Sequence, residues 1–175
     1  MLSIRLTQKS DANLLPAVEH SAAQLFRFIP ELAWIAGAHV QTEQQHLDYI
    51  SQGNSWVTLS EDSQPIGFIL VKPLDDALHI MELSVHEDWQ RRGIGKALIE
   101  KVIQVAEQRH LKAVTLTTFR QVNWNAPFYH RLGFNILDSQ QITERLQQIL
   151  KNEIDYGFSE EQRCAMKRLI IEPGH

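Results

Sequence analysis

The 175-residue chain holds a single cysteine, Cys164, so no internal disulfide can form. A lone cysteine fits a reducing compartment, and its setting in Arg163-Cys164-Ala165-Met166-Lys167 reads as a small side chain buried on a strand. No apolar run approaches membrane-spanning length, and Arg5 and Lys9 are not followed by the apolar core of a signal segment. Basic residues are in deficit: 17 Lys and Arg face 21 Asp and Glu, a formal net charge of -4. Nothing there would grip a nucleic-acid backbone. The eight histidines form no H-E-x-x-H pattern and no cysteine pair exists, so no metal site is expected. The P-loop run G-x-x-x-x-G-K-[ST] is also missing, and Leu98 stands where a dinucleotide fingerprint would need its third glycine. These absences argue against a disulfide-stapled domain, a membrane span, a nucleic-acid binder and a metalloenzyme, and they predict a cytoplasmic protein.

What remains is ordinary globular material, with 43% hydrophobic and 22% charged residues. A chain of this length buries roughly 70% of its unfolded surface, enough for one sizeable core. The length predicts a single domain over residues 1–175. β-branched and alternating segments predict strands over 2–7, 55–61, 65–71, 78–85, 114–118, 134–137 and 164–171, the last closing the sheet. Helices are predicted behind Asp11, Thr42 and Ser139 as caps, with a loop and short helix over 27–38. Helices first, then a strand meander, then a strand–helix–strand crossover imply a mixed sheet.

Residues 90–97, Gln-Arg-Arg-Gly-Ile-Gly-Lys-Ala, carry the chemistry. They join the strand over 78–85 to a helix marked by Ala97, Leu98, Val102, Ile103 and Ala106. The first N–H groups of a helix have no internal partner and sit at its positive end, so they bind anions. Glycine lets a ligand approach the backbone closely. A phosphate or diphosphate is the expected guest. The pattern Gln90-x-x-Gly93-x-Gly95 resembles the acetyl-CoA pyrophosphate loop of the GCN5-related N-acetyltransferase (GNAT) superfamily. Downstream, Asn125 and Pro127 suit the start of a short helix and Gly133 its end. There, Tyr129-x-x-x-Gly133-Phe134 resembles the second family signature. Ile4-Arg5 is similar to the first family strand and residues 163–171 to the last.

The resemblance implies an α/β fold, an α+β arrangement with a mostly antiparallel mixed sheet of about seven strands flanked by helices. It implies an acyltransferase that moves an acetyl group from acetyl-CoA to a primary amine of a small molecule or peptide, by direct attack in a ternary complex. Backbone N–H groups of Arg91, Arg92, Gly93, Ile94, Gly95 and Lys96, entered through Gln90, would wrap the pyrophosphate. Leu83, Ser84 and Val85 would pair with the pantetheine arm, and an N–H at Leu83 or Val85 would polarise the thioester carbonyl. Tyr129 would protonate the departing sulfur. An alkyl ammonium must lose a proton before it attacks. Glu82 is the favoured base, with His79 and His86 as alternatives. Asn125 reads either as a coenzyme A contact or as a helix cap. Phe28 and Trp34 are candidate walls of the acceptor pocket, with Phe26 and Trp124 beside them, and the Tyr156-Gly157-Phe158 loop is placed to close over it. A non-catalytic acyl-CoA sensor is the alternative. An exposed strand near the C-terminus would serve a homodimer.

Overall fold

Strand-forming residues and turn signals alternate along the chain, and the computed structural model, which describes residues 3–170, turns them into seven strands in one mixed sheet. The strands are β1 (Ser3–Leu6), β2 (Ser55–Leu59), β3 (Pro65–Leu74), β4 (Ala77–Val85), β5 (Ala113–Phe119), β6 (Asn135–Ile136) and β7 (Arg163–Leu169). Their hydrogen-bonded order is β1-β2-β3-β4-β5-β7-β6. The helices are α1 (Leu15–Ala23), α2 (Glu43–Ser51), α3 (Ile94–Gln108), α4 (Ala126–Arg131) and α5 (Glu144–Tyr156). The chain divides into two compact units, one of residues up to Val71 with Met81–Lys101, the other of Lys72–Ile80 with residues from Val102 on.

In the first unit β1, β2 and β3 pair antiparallel, with Arg5 opposite Val57 and Val57 opposite Phe68. Val57, Phe68 and Leu70 meet Leu15 and Val18 of α1, three residues apart and so on one helix face. Each such buried side chain contributes about 1.5–3 kcal/mol. Thr42 caps α2 as expected: its Oγ1 accepts from Gln45 N at 3.1 Å, while the Gln45 side chain accepts from Thr42 N at 2.8 Å. Asp11 does not start a long α-helix. The chain first makes a 3-10 turn over Lys9–Leu14, and Asp11 lies inside it, reaching back to accept from Gln8 N at 2.8 Å. Arg5 pairs with the same carboxylate at 2.7 Å. Burial opposes the charge on Asp11, but the Arg5 bond and the Gln8 N–H outweigh it and hold its pKa below the ordinary value. Regular α-helix begins only at Leu15, with Pro16 in its first turn, where a missing N–H costs nothing. Residues 24–37 form two further 3-10 segments, Gln24–Phe28 and Pro30–Gly37.

In the second unit β4 pairs parallel with β5 over Ala77–His79 against Ala113–Thr115. β5 pairs antiparallel with β7 along its whole length. The sequence predicted that residues 164–171 would close the sheet. Instead β7 runs between β5 and β6, and the two-residue β6 is the edge. Position 2 of the first predicted strand and position 171 of the last lie outside the described residues. Ser139 does not cap α5. Thr143 does, its Oγ1 accepting from Leu146 N at 3.3 Å and donating to Asp75 at 2.8 Å. Leu146, Ile149 and Leu150 of α5 then pack on Leu74, Leu137 and Ala165. Cys164 is buried as expected, and that burial raises its thiol pKa. No helix among the described residues is long and apolar enough to cross a membrane.

Candidate functional site

The turn into α3 is built from backbone geometry in the first unit. Arg91 and Gly93 both have positive φ, +63° and +81°. Only glycine adopts such a backbone freely. The Gly93 carbonyl accepts from Ala97 N at 3.0 Å, which makes Gly93 the last residue before the helix. The N–H groups of Ile94, Gly95 and Lys96 therefore belong to the first turn, which offers them no helical acceptor. A Cβ built on Gly93 would meet nothing within 4 Å, so this side of the turn is an open cradle. Ile94 anchors it from below, 1% exposed, with Leu98 and Ile99 buried behind. The Gln90 side-chain amide donates to the Val85 carbonyl at 3.0 Å and folds the loop back onto β4. Arg92 stacks over Trp89 at 4.8 Å, and Arg91 is exposed.

One residue that positions this turn went unnoticed in the sequence. Gly67 of β3 lies so close to α3 that an added Cβ would come within 3.1 Å of Ile94 Cγ2 and 3.2 Å of the Ser84 carbonyl. A glycine inside a strand is the available signal of such a close approach. The helix start is therefore held against the sheet by a missing side chain.

Along β4, Leu83 and Val85 are half-buried and Ser84 is buried. Ser84 Oγ donates to Glu82 Oε1 at 3.2 Å. Glu82 is half-buried, and its charge acts on Tyr49 of α2, whose phenol pKa is raised first by burial and then by Glu82. A second carboxylate in this unit was also missed. Glu19 of α1 accepts from Gln41 N at 2.9 Å, and burial pushes its pKa up to about 7. His79 is not an accessible base: it is 1% exposed, bonded through Nδ1 to Thr115 Oγ1 at 2.8 Å, and burial followed by the Lys72 charge lowers its pKa to about 4. His86 caps the short turn Glu87–Trp89 and accepts from Asp88 N at 3.1 Å. Phe28 is 70% exposed and Trp34 42%, both on the 3-10 segments, so neither is core.

In the second unit Asn125 occupies the position before α4, yet its side chain makes no cap. Its Oδ1 instead accepts from Thr118 Oγ1 at 2.7 Å and from Phe119 N at 3.3 Å, clamping the end of β5. Tyr129 is 9% exposed, edge-on to Phe128 at 5.2 Å and to Phe134 at 5.8 Å. Gly133, at φ +91°, ends α4 as the sequence predicted. On the other face of β5, Arg163 Nε donates to Glu153 Oε1 at 3.0 Å and Nη2 to Thr117 Oγ1 at 3.3 Å. No sequence pattern announces that cluster, because its members are drawn from three elements.

A family model described as "Acetyltransferase (GNAT) family" matches residues 20–134. A probable N-acetyltransferase camello of Xenopus laevis is 34% identical over 90 residues, which cover 49% of this chain and 41% of that protein. The peptidyl-lysine N-acetyltransferase YjaB of Salmonella typhimurium is 22% identical over 144 residues, covering 82% of this chain and 90% of the relative. Among solved structures, the PaiA N-acetyltransferase of Thermoplasma acidophilum in complex with coenzyme A superposes with a TM-score of 0.70 at 17% identity, covering 97% of this chain and 99% of that one. The ribosomal-protein-S18-alanine N-acetyltransferase of Escherichia coli gives 0.69 at 18% identity, covering 100% and 97%. With its seven-stranded mixed sheet and its glycine turn at the start of α3, the chain belongs to the GNAT acetyltransferase family.

Proposed function

We propose that this chain, working as one domain, transfers an acetyl group from acetyl-CoA to a primary amine of a peptide. The open, positive-φ turn at Gly93 leading into α3 is the observation that carries the reading. Its openness, backbone N–H donors and positive helix end suit a diphosphate and need no side-chain cation. Acetyl-CoA would bring an acyl thioester that is already activated for attack. Ile94, Gly95 and Lys96 would hold its pyrophosphate, and N–H groups at Leu83 or Val85 would polarise the acyl carbonyl. Glu82, oriented by Ser84 Oγ, would take a proton from the ammonium and free its lone pair. The new nitrogen–carbon bond forms as the carbon–sulfur bond breaks, Tyr129 gives its phenolic proton to the sulfur, and the surplus proton on the new amide nitrogen is lost to solvent, from which the phenolate regains its own. A peptide is favoured as acceptor because relatives similar to this chain are named for peptidyl-lysine and ribosomal-protein alanine acetylation.

Release of free thiol from acetyl-CoA, followed across lysyl and N-terminal peptides, tests this reading. Peptide-dependent release is expected. Coenzyme A binding with no release on any amine would instead leave a sensor of acyl-CoA.

A further inference from the structure

α4 is too short to hold its own direction. Its six residues make fewer than two turns, and an isolated helix shorter than about 12 residues is marginal in water. Tyr129, the proposed proton donor, is the fourth of those six, so its place is set by whatever holds the two ends. At the far end Leu132 N and Phe134 N donate to the Tyr129 carbonyl at 2.9 and 3.1 Å, and Phe134 is fully buried. Arg168 Nη1 donates to the Leu132 carbonyl at 2.8 Å. At the near end Tyr129 N donates to the Asn125 carbonyl at 3.0 Å, which couples the two residues across one turn. Asn125 is in turn tied to β5, where its Oδ1 accepts from Thr118 Oγ1 at 2.7 Å and from Phe119 N at 3.3 Å. The first distance is the optimum for a hydroxyl donor, and the second lies beyond the usual N–H range, so the hydroxyl is the stronger tie. Thr118 is 4% exposed, which keeps water from replacing that bond. The strand that carries it is fixed from its other side. β5 pairs with β7 from Ala113 to Phe119, and Thr117 Oγ1 donates to Glu153 and accepts from Arg163 Nη2 at 3.3 Å. Valine has the same branched shape as threonine and the same preference for strands, so the sheet itself needs no hydroxyl at position 118. The bond to Asn125 is what the hydroxyl adds.

We infer that Thr118 is a positioning residue whose hydroxyl, acting through Asn125, sets the place of Tyr129. The inference rests on the proton-donor reading of Tyr129 above. A phenol that protonates a departing sulfur must lie within hydrogen-bond reach of it as the bond breaks, and small displacements slow the step. Neither Thr118 nor Asn125 gives or takes a proton there.

The test follows kcat, KM and coenzyme A affinity in the full chain and in Thr118→Val, Thr118→Ser, Tyr129→Phe and the Thr118→Val/Tyr129→Phe double variant. Thr118→Val should lower kcat about tenfold, the scale of a displacement of less than about 1 Å. The peptide KM and the calorimetric Kd for coenzyme A should stay within about twofold. Thr118→Ser keeps the hydroxyl and should recover most of kcat. In the Tyr129→Phe background Thr118→Val should add no further loss, because the group it positions is gone. Asn125→Ala removes the same bond from its other partner and enters the same comparison, so a variant that fails to fold does not end the test. Where Tyr129→Phe lowers kcat, three results overturn the inference: no loss in Thr118→Val, a loss that serine does not repair, or a loss that persists in full without the phenol. A magnetic resonance spectrum of ring-labelled tyrosine separates positioning from acid catalysis. The chain has three tyrosines, and Tyr129→Phe identifies the Tyr129 signal. In saturating coenzyme A that signal should shift in Thr118→Val and stay in place in Thr118→Ser. If Tyr129→Phe keeps full kcat, or no peptide is acetylated, the acid reading fails, and a shifted signal still upholds the positioning. An unmoved signal overturns it.

Discussion

Two strand-to-helix turns in this protein look alike in sequence and behave differently. One leads from β4 through Gly93 into the 15-residue α3, the other from β5 through Asn125 into the six-residue α4. At Gly93 an added Cβ would meet nothing within 4 Å, and the first N–H groups of a long helix have no helical acceptor. At Asn125 the side chain that would cap the helix is drawn away to Thr118 and Phe119 and secures the strand instead. The same local pattern thus leaves an open turn, the proposed anion cradle, where side chains are absent and makes a mechanical clamp where one is present. Whether such a turn binds or braces is decided by what its side chain has nearby to bond to.

Substitutions at the two turns should separate these roles. Gly93→Val should weaken coenzyme A binding by about 100-fold in calorimetry, because a β-branched residue at positive φ costs roughly 1–3 kcal/mol and drives the loop into another backbone. Its denaturation midpoint should fall much less. Asn125→Ala should do the reverse. It takes this acceptor from the buried Thr118 hydroxyl, costing about 1–3 kcal/mol in urea unfolding, with coenzyme A affinity kept within about threefold. Equal losses of affinity in the two variants would erase the contrast. Tyr129→Phe removes the proposed proton donor and should lower kcat by about 100-fold with little change in acetyl-CoA binding.

A second comparison concerns pH. His46 of α2 is fully buried, edge-on to Phe68 at 5.0 Å, and neither ring nitrogen finds a partner among the described residues. Burial lowers its pKa to about 4, so the folded state resists protonation that the unfolded chain accepts. Its stabilising effect is complete above the unfolded value near 6.5 and is lost as the pH falls towards 4, by roughly 3 kcal/mol at most. His46→Leu should flatten that part of the urea stability profile. Glu19 has the opposite sign. Its folded pKa is raised, so the fold is favoured below the ordinary carboxylate range and loses that advantage as the pH rises through about 7. Glu19→Gln, which still accepts from Gln41 N, should raise Tm at pH 8 and leave it nearly unchanged at pH 5. The smallest effect should come from Gly67→Ala, about 1–2 kcal/mol from crowding Ile94, together with a few-fold loss of coenzyme A affinity as α3 is pushed off the sheet.

Local backbone demands were legible in the sequence. Gly93, Gly133 and Thr42 each sit where their chemistry placed them, because a positive φ or a capping hydroxyl is a requirement of a few adjacent residues. Features that depend on distant partners were not. Nothing near Asn125 reveals that Thr118 would take its side chain. Glu19 reads as a surface helix residue until Gln41 folds over it. Ser139 and Thr143 are equally good caps by type, and the choice fell to Thr143 because Asp75 accepts its hydroxyl proton. The chain order of β6 and β7 was clear, but their positions in the sheet were set by the pairing of β7 with the whole of β5. Arg163 read as the start of a strand, and its place between Phe119 and Phe158 needs three elements brought together.

The central seat of β7 bears on how the molecule is made. A strand drawn from residues 163–169 completes pairing begun at residues 113–119, so β5 must wait for nearly fifty further residues of synthesis before its second neighbour exists. Such long-range closure is slow, and during translation the open flank of β5 is exposed to other chains. A nascent polypeptide halted before Arg163 should therefore bind chaperones that the finished protein ignores.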